Sequence, residues 1–207
     1  DDVESRGLGD VYKRQFVDNS IPLNDILRSL HKVNDKMSLD EARNLMKKTQ
    51  SSSYSERYKA YKMITNEVSP VLRLFFYNNF LSPDDWFESR VVYSHGIATT
   101  SITGYILGLG DRHNNNILLE KSYGEPIHID LGVAFDQGKA LPIPETVPFR
   151  LTRDIVDGLG ITGVDGIFTK TSEHVFRVLR ENRQYIEGIL DVLKYDPLYS
   201  WTLSPVR

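Results

Sequence analysis

Two short stretches carry the residues whose chemistry stands out. Gly108-Leu109-Gly110-Asp111-Arg112-His113-Asn114-Asn115-Asn116 comes first, and Asp130-Leu131-Gly132 follows. Phosphoryl transfer from a nucleotide needs a carboxylate to orient the attacking hydroxyl, oxygen ligands for Mg²⁺, and donors that neutralise phosphate charge. Asp111 precedes Asn116 by five positions, the separation of a base carboxylate and a metal-binding amide in a phosphotransfer loop. Asp130, followed by an apolar residue and glycine, fits a second metal ligand. Alone, Asp-Arg-His reads as a surface turn, and Asp-Leu-Gly is nearly uninformative. Their order around one hairpin is what carries the reading.

That hairpin is legible locally. Ile117-Leu118-Leu119 and Ile127-His128-Ile129 are β-type runs, and Gly124 lies in the turn segment between them. Closing it brings Asp111, Asn116 and Asp130 together. His95 and His128 have no matching constellation and read as solvated or packed side chains.

Helices must hold this hairpin. Apolar Leu23, Ile26, Leu27 and Leu30 recur at helical spacing after Pro22. Ser38 with Glu41 forms a capping-box pattern for a helix through Lys48. Ser51 to Ser53 break the chain and cap a helix over about 55–68, and Ser69-Pro70 opens another through Phe80. Ser82-Pro83-Asp84-Asp85 is a strong helix start, predicting a central buried helix to about Tyr105. A proline-rich loop runs from Gly132 to Pro148, and a short helix begins at Thr152-Arg153-Asp154. Gly158, Gly160, Gly163 and Gly166 mark turns. One long or two shorter amphipathic helices cover 167–193, and Pro197 stops the pattern. The expected fold is mainly α with a small β-hairpin.

Composition narrows the function classes. The chain has 207 residues, no cysteine and a net charge of −3. Disulfides, thiolate metal sites and a cysteine nucleophile are excluded. No overall basic field is available for nucleic acid or an anionic membrane. No apolar run approaches a membrane span, and the opening residues have no signal-peptide pattern, so a soluble intracellular protein is expected. Asp10-Val11-Tyr12-Lys13-Arg14-Gln15 back-translates to a transposase adapter used in preparing sequencing libraries. Residues 1–15 are therefore expected to be a non-native leader, with the protein's own sequence starting near Phe16.

The order Gly-x-Gly-Asp-Arg-His-x-x-Asn and then His128-Ile129-Asp130-Leu131-Gly132 resembles the phosphatidylinositol 3-kinase-related kinases and the lipid kinases that share their fold. Gly132-Val133-Ala134-Phe135-Asp136-Gln137-Gly138-Lys139, then Pro144-Glu145-Thr146-Val147-Pro148-Phe149-Arg150-Leu151-Thr152-Arg153-Asp154, is similar to the activation loop of the ATM/Tel kinases, and Gly163 to Phe168 continues the likeness. The resemblance covers roughly 16–207. It implies the C-lobe of a protein-kinase-like (PI3/PI4-kinase) fold, with the N-lobe, FAT scaffold and FATC segment lying outside this chain. It implies a non-specific serine/threonine protein kinase that uses ATP with Mg²⁺ or Mn²⁺ on Ser/Thr-Gln sites, in the DNA-damage response and telomere maintenance, in the nucleus. DNA-end-sensing partner proteins are implied, with no direct nucleic-acid site here and no membrane.

By motif position the resemblance makes Asp111 the catalytic base and places His113 beside the γ-phosphate. Asn116 and Asp130 become the cofactor-binding metal ligands. The catalytic loop is then 108–116, the metal-binding segment 130–132, and the activation loop 132–149, with Gly132, Val133, Ala134, Phe135, Pro148 and Phe149 at its two ends. The chain alone is expected to be inactive. A phosphoinositide kinase is the first alternative, but such a loop should be rich in Lys and Arg. Between Leu131 and Pro148 the ionisable residues are Asp136, Lys139 and Glu145, net −1. A non-catalytic helical interaction module is the other alternative, against which the intact Asp111, Asn116 and Asp130 set argues.

Overall fold

The computed structural model describes residues 3–7, 10–14, 17–135, 137–141 and 145–193. Phe16 and Pro197 lie outside the described residues. Strands β1 (Val3–Gly7) and β2 (Asp10–Arg14) pair antiparallel as a sheet of their own. Then come β3 (Ser20–Pro22), α1 (Leu23–Asn34), α2 (Leu39–Thr49), α3 (Tyr54–Glu67), α4 (Arg73–Asn79) and α5 (Pro83–Leu107). After these follow β4 (Ile117–Glu120), β5 (Pro126–His128), a 3-10 turn (Gln137–Ala140), α6 (Arg153–Leu159), α7 (Ile167–Glu181) and α8 (Arg183–Leu193). The described chain is mainly helical.

Local chemistry explains most boundaries. Ser38 and Ser53 each accept the amide of a glutamate three residues on, and that glutamate returns a bond to the serine amide, so both capping boxes are complete. Ser82 accepts the Asp85 amide, and Pro83 takes the first helical position, where its missing N–H costs nothing. Gly108 ends α5 in the left-handed conformation, φ 59°, which glycine adopts without Cβ conflict. That cap turns the chain out of the helix directly into the Asp111 loop.

Helix α5 is the axis of the core. Its buried side carries Tyr93, Ile97, Ala98 and Ile102, against which Phe76, Leu119, Ile155 and Phe168 are also buried. Phe76 meets Tyr93 edge-on with ring centroids 5.0 Å apart. Each such fully buried aromatic or aliphatic side chain contributes about 1.5–3 kcal/mol. Its other side is wet: Phe87 is 62% and Tyr105 49% exposed. Helix α5 is therefore buried along one face only.

Three details differ from the sequence expectation. The hairpin gains a third strand, because β3 pairs antiparallel with β4 through Ile21 opposite Leu119. Helix α4 starts at Arg73, later than Ser69-Pro70 suggests. The Val71 amide donates to Asp154 Oδ1 at 2.8 Å and the Arg73 amide to Asp157 Oδ2 at 2.9 Å, so carboxylates of α6 hold the segment in place of a preceding helical turn. Gly158 is not at a turn. It lies inside α6, where an added Cβ would come within 2.8 Å of the Tyr93 ring.

Candidate active site

The site is built where three elements end. Helix α5 delivers Gly108, the hairpin β4–β5 separates the two motif stretches, and α1 supports the loop from below. The Asn24 amide at the start of α1 donates to Asn114 O at 3.0 Å. Strand β3 leads directly into that helix, so the small sheet and α1 fix the loop 108–116 together.

Arg112 joins the two motif stretches. It is 7% exposed, and its guanidinium donates to Gly110 O at 2.8 Å, to Ile129 O at 2.7 Å and to Asp130 O. The Ile129 amide also donates to Asn116 O at 3.1 Å, and the Gly110 amide to Val133 O at 2.8 Å. Burial pulls the Arg112 guanidinium below its ordinary value, and the charges of Asp111, Asp130 and Glu145 oppose that pull. All three carboxylates thus lie within electrostatic reach of one buried cation. Burial, reinforced by the Arg112 charge, pushes neighbouring His128 down to about 4, so it is neutral near pH 7. His95 is exposed and shares a 2.7 Å contact with Thr171.

Asp111 and Asp130 both adopt positive φ, 56° and 54°. Aspartate tolerates this conformation better than most residues, but each instance costs on the order of 1 kcal/mol and persists only where neighbours impose it. Asp111 is held at both ends of its backbone. Its amide donates to Glu145 Oε1 at 2.8 Å, and its carbonyl accepts from Asn116 Nδ2 at 2.8 Å. The Asn116 amide nitrogen also approaches Asp111 Oδ2, at 3.5 Å. With Nδ2 so engaged, Asn116 Oδ1 faces away from that carbonyl and is the atom available to a cation.

The His113 tautomer follows from one bond. The Asn115 amide donates to His113 Nδ1 at 3.2 Å, so Nδ1 is the acceptor and Nε2 carries the proton of the neutral ring. Nε2 lies 3.9 Å from Asp111 Oδ2, and both side chains are about half exposed. A cleft of about 660 Å³ opens here, lined by Asp111, His113, Glu145, Phe149, Arg150 and Thr152 among others. It is bounded by loop 108–116 on one side and by 145–152 on the other.

The structure thus brings Asp111, His113 and Asn116 into direct contact and ties Asp130 to them through Arg112. Gly132 and Val133 continue from Asp130, and Val133 O accepts the Gly110 amide. Phe135 returns to the end of α5 through its amide, which donates to Leu107 O at 2.9 Å. Ala134 lies between Val133 and Phe135, and Pro148 and Phe149 lie at the far end of the same loop, while Asp136 and residues 142–144 lie outside the described residues. No three His, Cys, Asp or Glu side chains cluster as an all-protein metal cage among the described residues. The donor set still fits Mg²⁺, which takes one or two protein oxygens and completes its shell with phosphate oxygens and water. No helix among the described residues is long and apolar enough to cross a membrane.

Two contributors had no signal in the sequence. Arg112 sits in the motif, but nothing in its spacing says that it reaches Ile129 and Asp130. Glu145 lies 34 positions from Asp111, in a stretch with no periodicity.

Comparison with known proteins follows the same residues. The family model for phosphatidylinositol 3- and 4-kinases matches residues 6–203. Serine/threonine-protein kinase TEL1 of Debaryomyces hansenii is 64% identical over 193 residues, covering 93% of this chain and 6% of the relative. TEL1 of Saccharomyces cerevisiae is 60% identical over 193 residues, covering 93% and 7%. The solved structure "FAT and kinase domain of CtTel1" superposes with a TM-score of 0.86 at 44% identity, covering 95% of this chain and 14% of that one. "Tel1 kinase butterfly symmetric dimer" gives 0.82 at 60% identity, covering 93% and 8%. The chain therefore spans less than a tenth of the length of these curated relatives.

Proposed function

Since the chain belongs to the phosphatidylinositol 3- and 4-kinase family and is an ATM/Tel-type kinase-domain segment within it, we propose that it forms the C-lobe of a serine/threonine protein kinase that moves the ATP γ-phosphate to Ser or Thr followed by Gln. The proposed setting is the DNA-damage response and telomere maintenance, in the nucleus. The N-lobe, FAT and FATC segments of the longer polypeptide complete the enzyme, and DNA-end-sensing proteins recruit it. The chain by itself turns over negligibly.

Each residue has a role that its geometry can perform. The Asp111 carboxylate, half exposed at the cleft, orients the substrate hydroxyl and takes its proton. His113 presents Nε2–H as a donor to the transferring phosphate. Asn116 Oδ1 and the Asp130 carboxylate hold Mg²⁺ or Mn²⁺, which when bound neutralises phosphate charge and orients the nucleotide. Loop 132–149 is the activation loop, and its residues Glu145 to Phe149 line the cleft that takes the peptide.

The observation that carries this reading is the Arg112 fork. One buried guanidinium binds the carbonyl before Asp111 and the carbonyl of Asp130, so the base and a metal ligand move as one body. Protein is favoured over lipid because the loop lacks a Lys/Arg cluster for an anionic headgroup. Glu145, one of the loop's acids, is turned inward onto the Asp111 amide.

The test is a transfer assay on the full-length protein with Mg-ATP, a Ser-Gln peptide and, separately, phosphoinositide vesicles. Peptide phosphorylation that Asp111→Asn abolishes is expected. Transfer to phosphoinositide alone, or full activity in Asp111→Asn, would overturn the proposal. The same assay on the isolated 207-residue chain should read background, and robust turnover there would contradict its inactivity.

A further inference from the structure

We infer that Glu145 is a positioning residue: from the far side of the cleft it locks the backbone of Asp111 in the conformation that aims the Asp111 carboxylate. The inference rests on the assignment of Asp111 as the base and extends it to a residue in a separate loop.

Three observations converge on Glu145. Its Oε1 accepts the Asp111 amide at 2.8 Å, at a residue whose φ of 56° needs outside support. Its other carboxylate oxygen fills a slot between two glycines. A Cβ added to Gly110 would lie 2.6 Å from Glu145 Oε2, and one added to Gly138 would lie 2.3 Å from it. The Glu145 backbone is fixed as well, its amide donating to Gly138 O at 3.1 Å. The carboxylate is therefore seated, and the seat is made of two residues without side chains.

The consequence is a division of labour around one residue. Asn116 holds the Asp111 carbonyl from within the same loop, while Glu145 holds its amide from the loop across the cleft. The Asn116 bond forms whenever loop 108–116 folds. The Glu145 bond forms only when Glu145 is seated beside Gly110 and Gly138. The orientation of the Asp111 carboxylate thus depends on the placement of Glu145, which also lines the cleft. Losing the bond leaves Asp111 free to relax out of the left-handed region, which turns its carboxylate away from the cleft.

The variants separate this role from general packing. Glu145→Ala removes the acceptor. Glu145→Gln keeps a carbonyl oxygen for the Asp111 amide in a side chain of the same shape. Gly138→Ala leaves Glu145 intact but puts a methyl group where its carboxylate sits; Gly138 does not have the positive φ that would forbid alanine. In the full-length kinase with Mg-ATP and a Ser-Gln peptide, Glu145→Ala should lower kcat by about 10–100-fold, the range of one lost charge-assisted bond. KM for ATP and for peptide should stay near wild type, and Glu145→Gln should recover most of kcat. Gly138→Ala should lower kcat similarly and add little in the Glu145→Ala background.

Asp111→Asn is the control that separates two failures. If Asp111→Asn is inactive while Glu145→Ala keeps wild-type kcat, the positioning role is wrong and the base assignment stands. If Asp111→Asn is fully active, the base assignment itself fails. A loss confined to KM, no recovery in Glu145→Gln, or additive losses from Gly138→Ala and Glu145→Ala would each overturn the inference.

Discussion

Replacing Arg112 should separate the two halves of the site without unfolding the lobe. The side chain makes three charge-assisted bonds to backbone carbonyls, those of Gly110, Ile129 and Asp130. Such bonds contribute about 1.5–3 kcal/mol each in isolation. The sum overstates the loss, because burying the cation is itself costly and the Asp130 end of the fork is open to water. A net loss of about 3 kcal/mol is expected for Arg112→Met, which keeps the length of the stem and removes every donor. If that loss falls on the geometry linking Asp111 to Asp130, it corresponds to roughly a 100-fold fall in kcat. Arg112→Lys should lie between, since an ammonium is a point charge that cannot span three carbonyls with one planar fork. The assay is steady-state transfer in the full-length protein, paired with amide hydrogen exchange at Ile129, whose N–H is bonded to Asn116 O. Faster exchange at Ile129 together with the kcat loss is the expected result. Wild-type kcat and wild-type exchange in Arg112→Lys would refute the idea that a three-pronged fork unites the two loops.

Other consequences are independent of catalysis. His31 is buried between Asp35, 2.6 Å from Nδ1, and Asp154, 3.2 Å from Nε2. Burial pulls its pKa down, but the hydrogen bond and charge of Asp154, then the charge and hydrogen bond of Asp35, raise it above the ordinary 6.5. The folded state therefore keeps a proton that the unfolded chain releases. This stabilisation is complete below about pH 6.5 and is lost as pH rises through the folded value. Denaturation midpoints should fall over that range, and the His31→Gln variant should lack this component of the slope; an unchanged slope would contradict the account. Gly158→Ala should destabilise by about 1–3 kcal/mol, because its Cβ would press on Tyr93. Gly188→Ala, on a helix with nothing within 4 Å of the added Cβ, should stabilise by about 0.5–1 kcal/mol. Equal effects on the melting curves of these two variants would show that the α5–α6 contact is not close-packed.

What the sequence made legible was local. Ser38 with Glu41 and Ser82 with Pro83 announce their helices because a cap and its partner lie within one turn. The β4–β5 hairpin is visible because two β-type runs and a glycine-containing turn lie within a short stretch. The motif residues at 111, 116 and 130 could be placed on either side of that hairpin because the hairpin itself is local. What was hidden was long-range. β3 is three residues long with a proline at its end, and only pairing with β4 makes it a strand. The start of α4 is set by Asp154 and Asp157, more than eighty positions away. The Arg112 fork and the Glu145 bond join residues through tertiary geometry, and no rule of spacing encodes either.

The most direct measurement is a structure of the full-length kinase with Mg²⁺ and a non-hydrolysable ATP analogue. Coordination of the metal by Asn116 Oδ1 and the Asp130 carboxylate at about 2.1 Å, with Asp111 facing the γ-phosphate across the space for a hydroxyl, is the predicted result. A nucleotide whose metal is held elsewhere, with the Asp111 and Asp130 carboxylates turned to separate surfaces, would contradict the account.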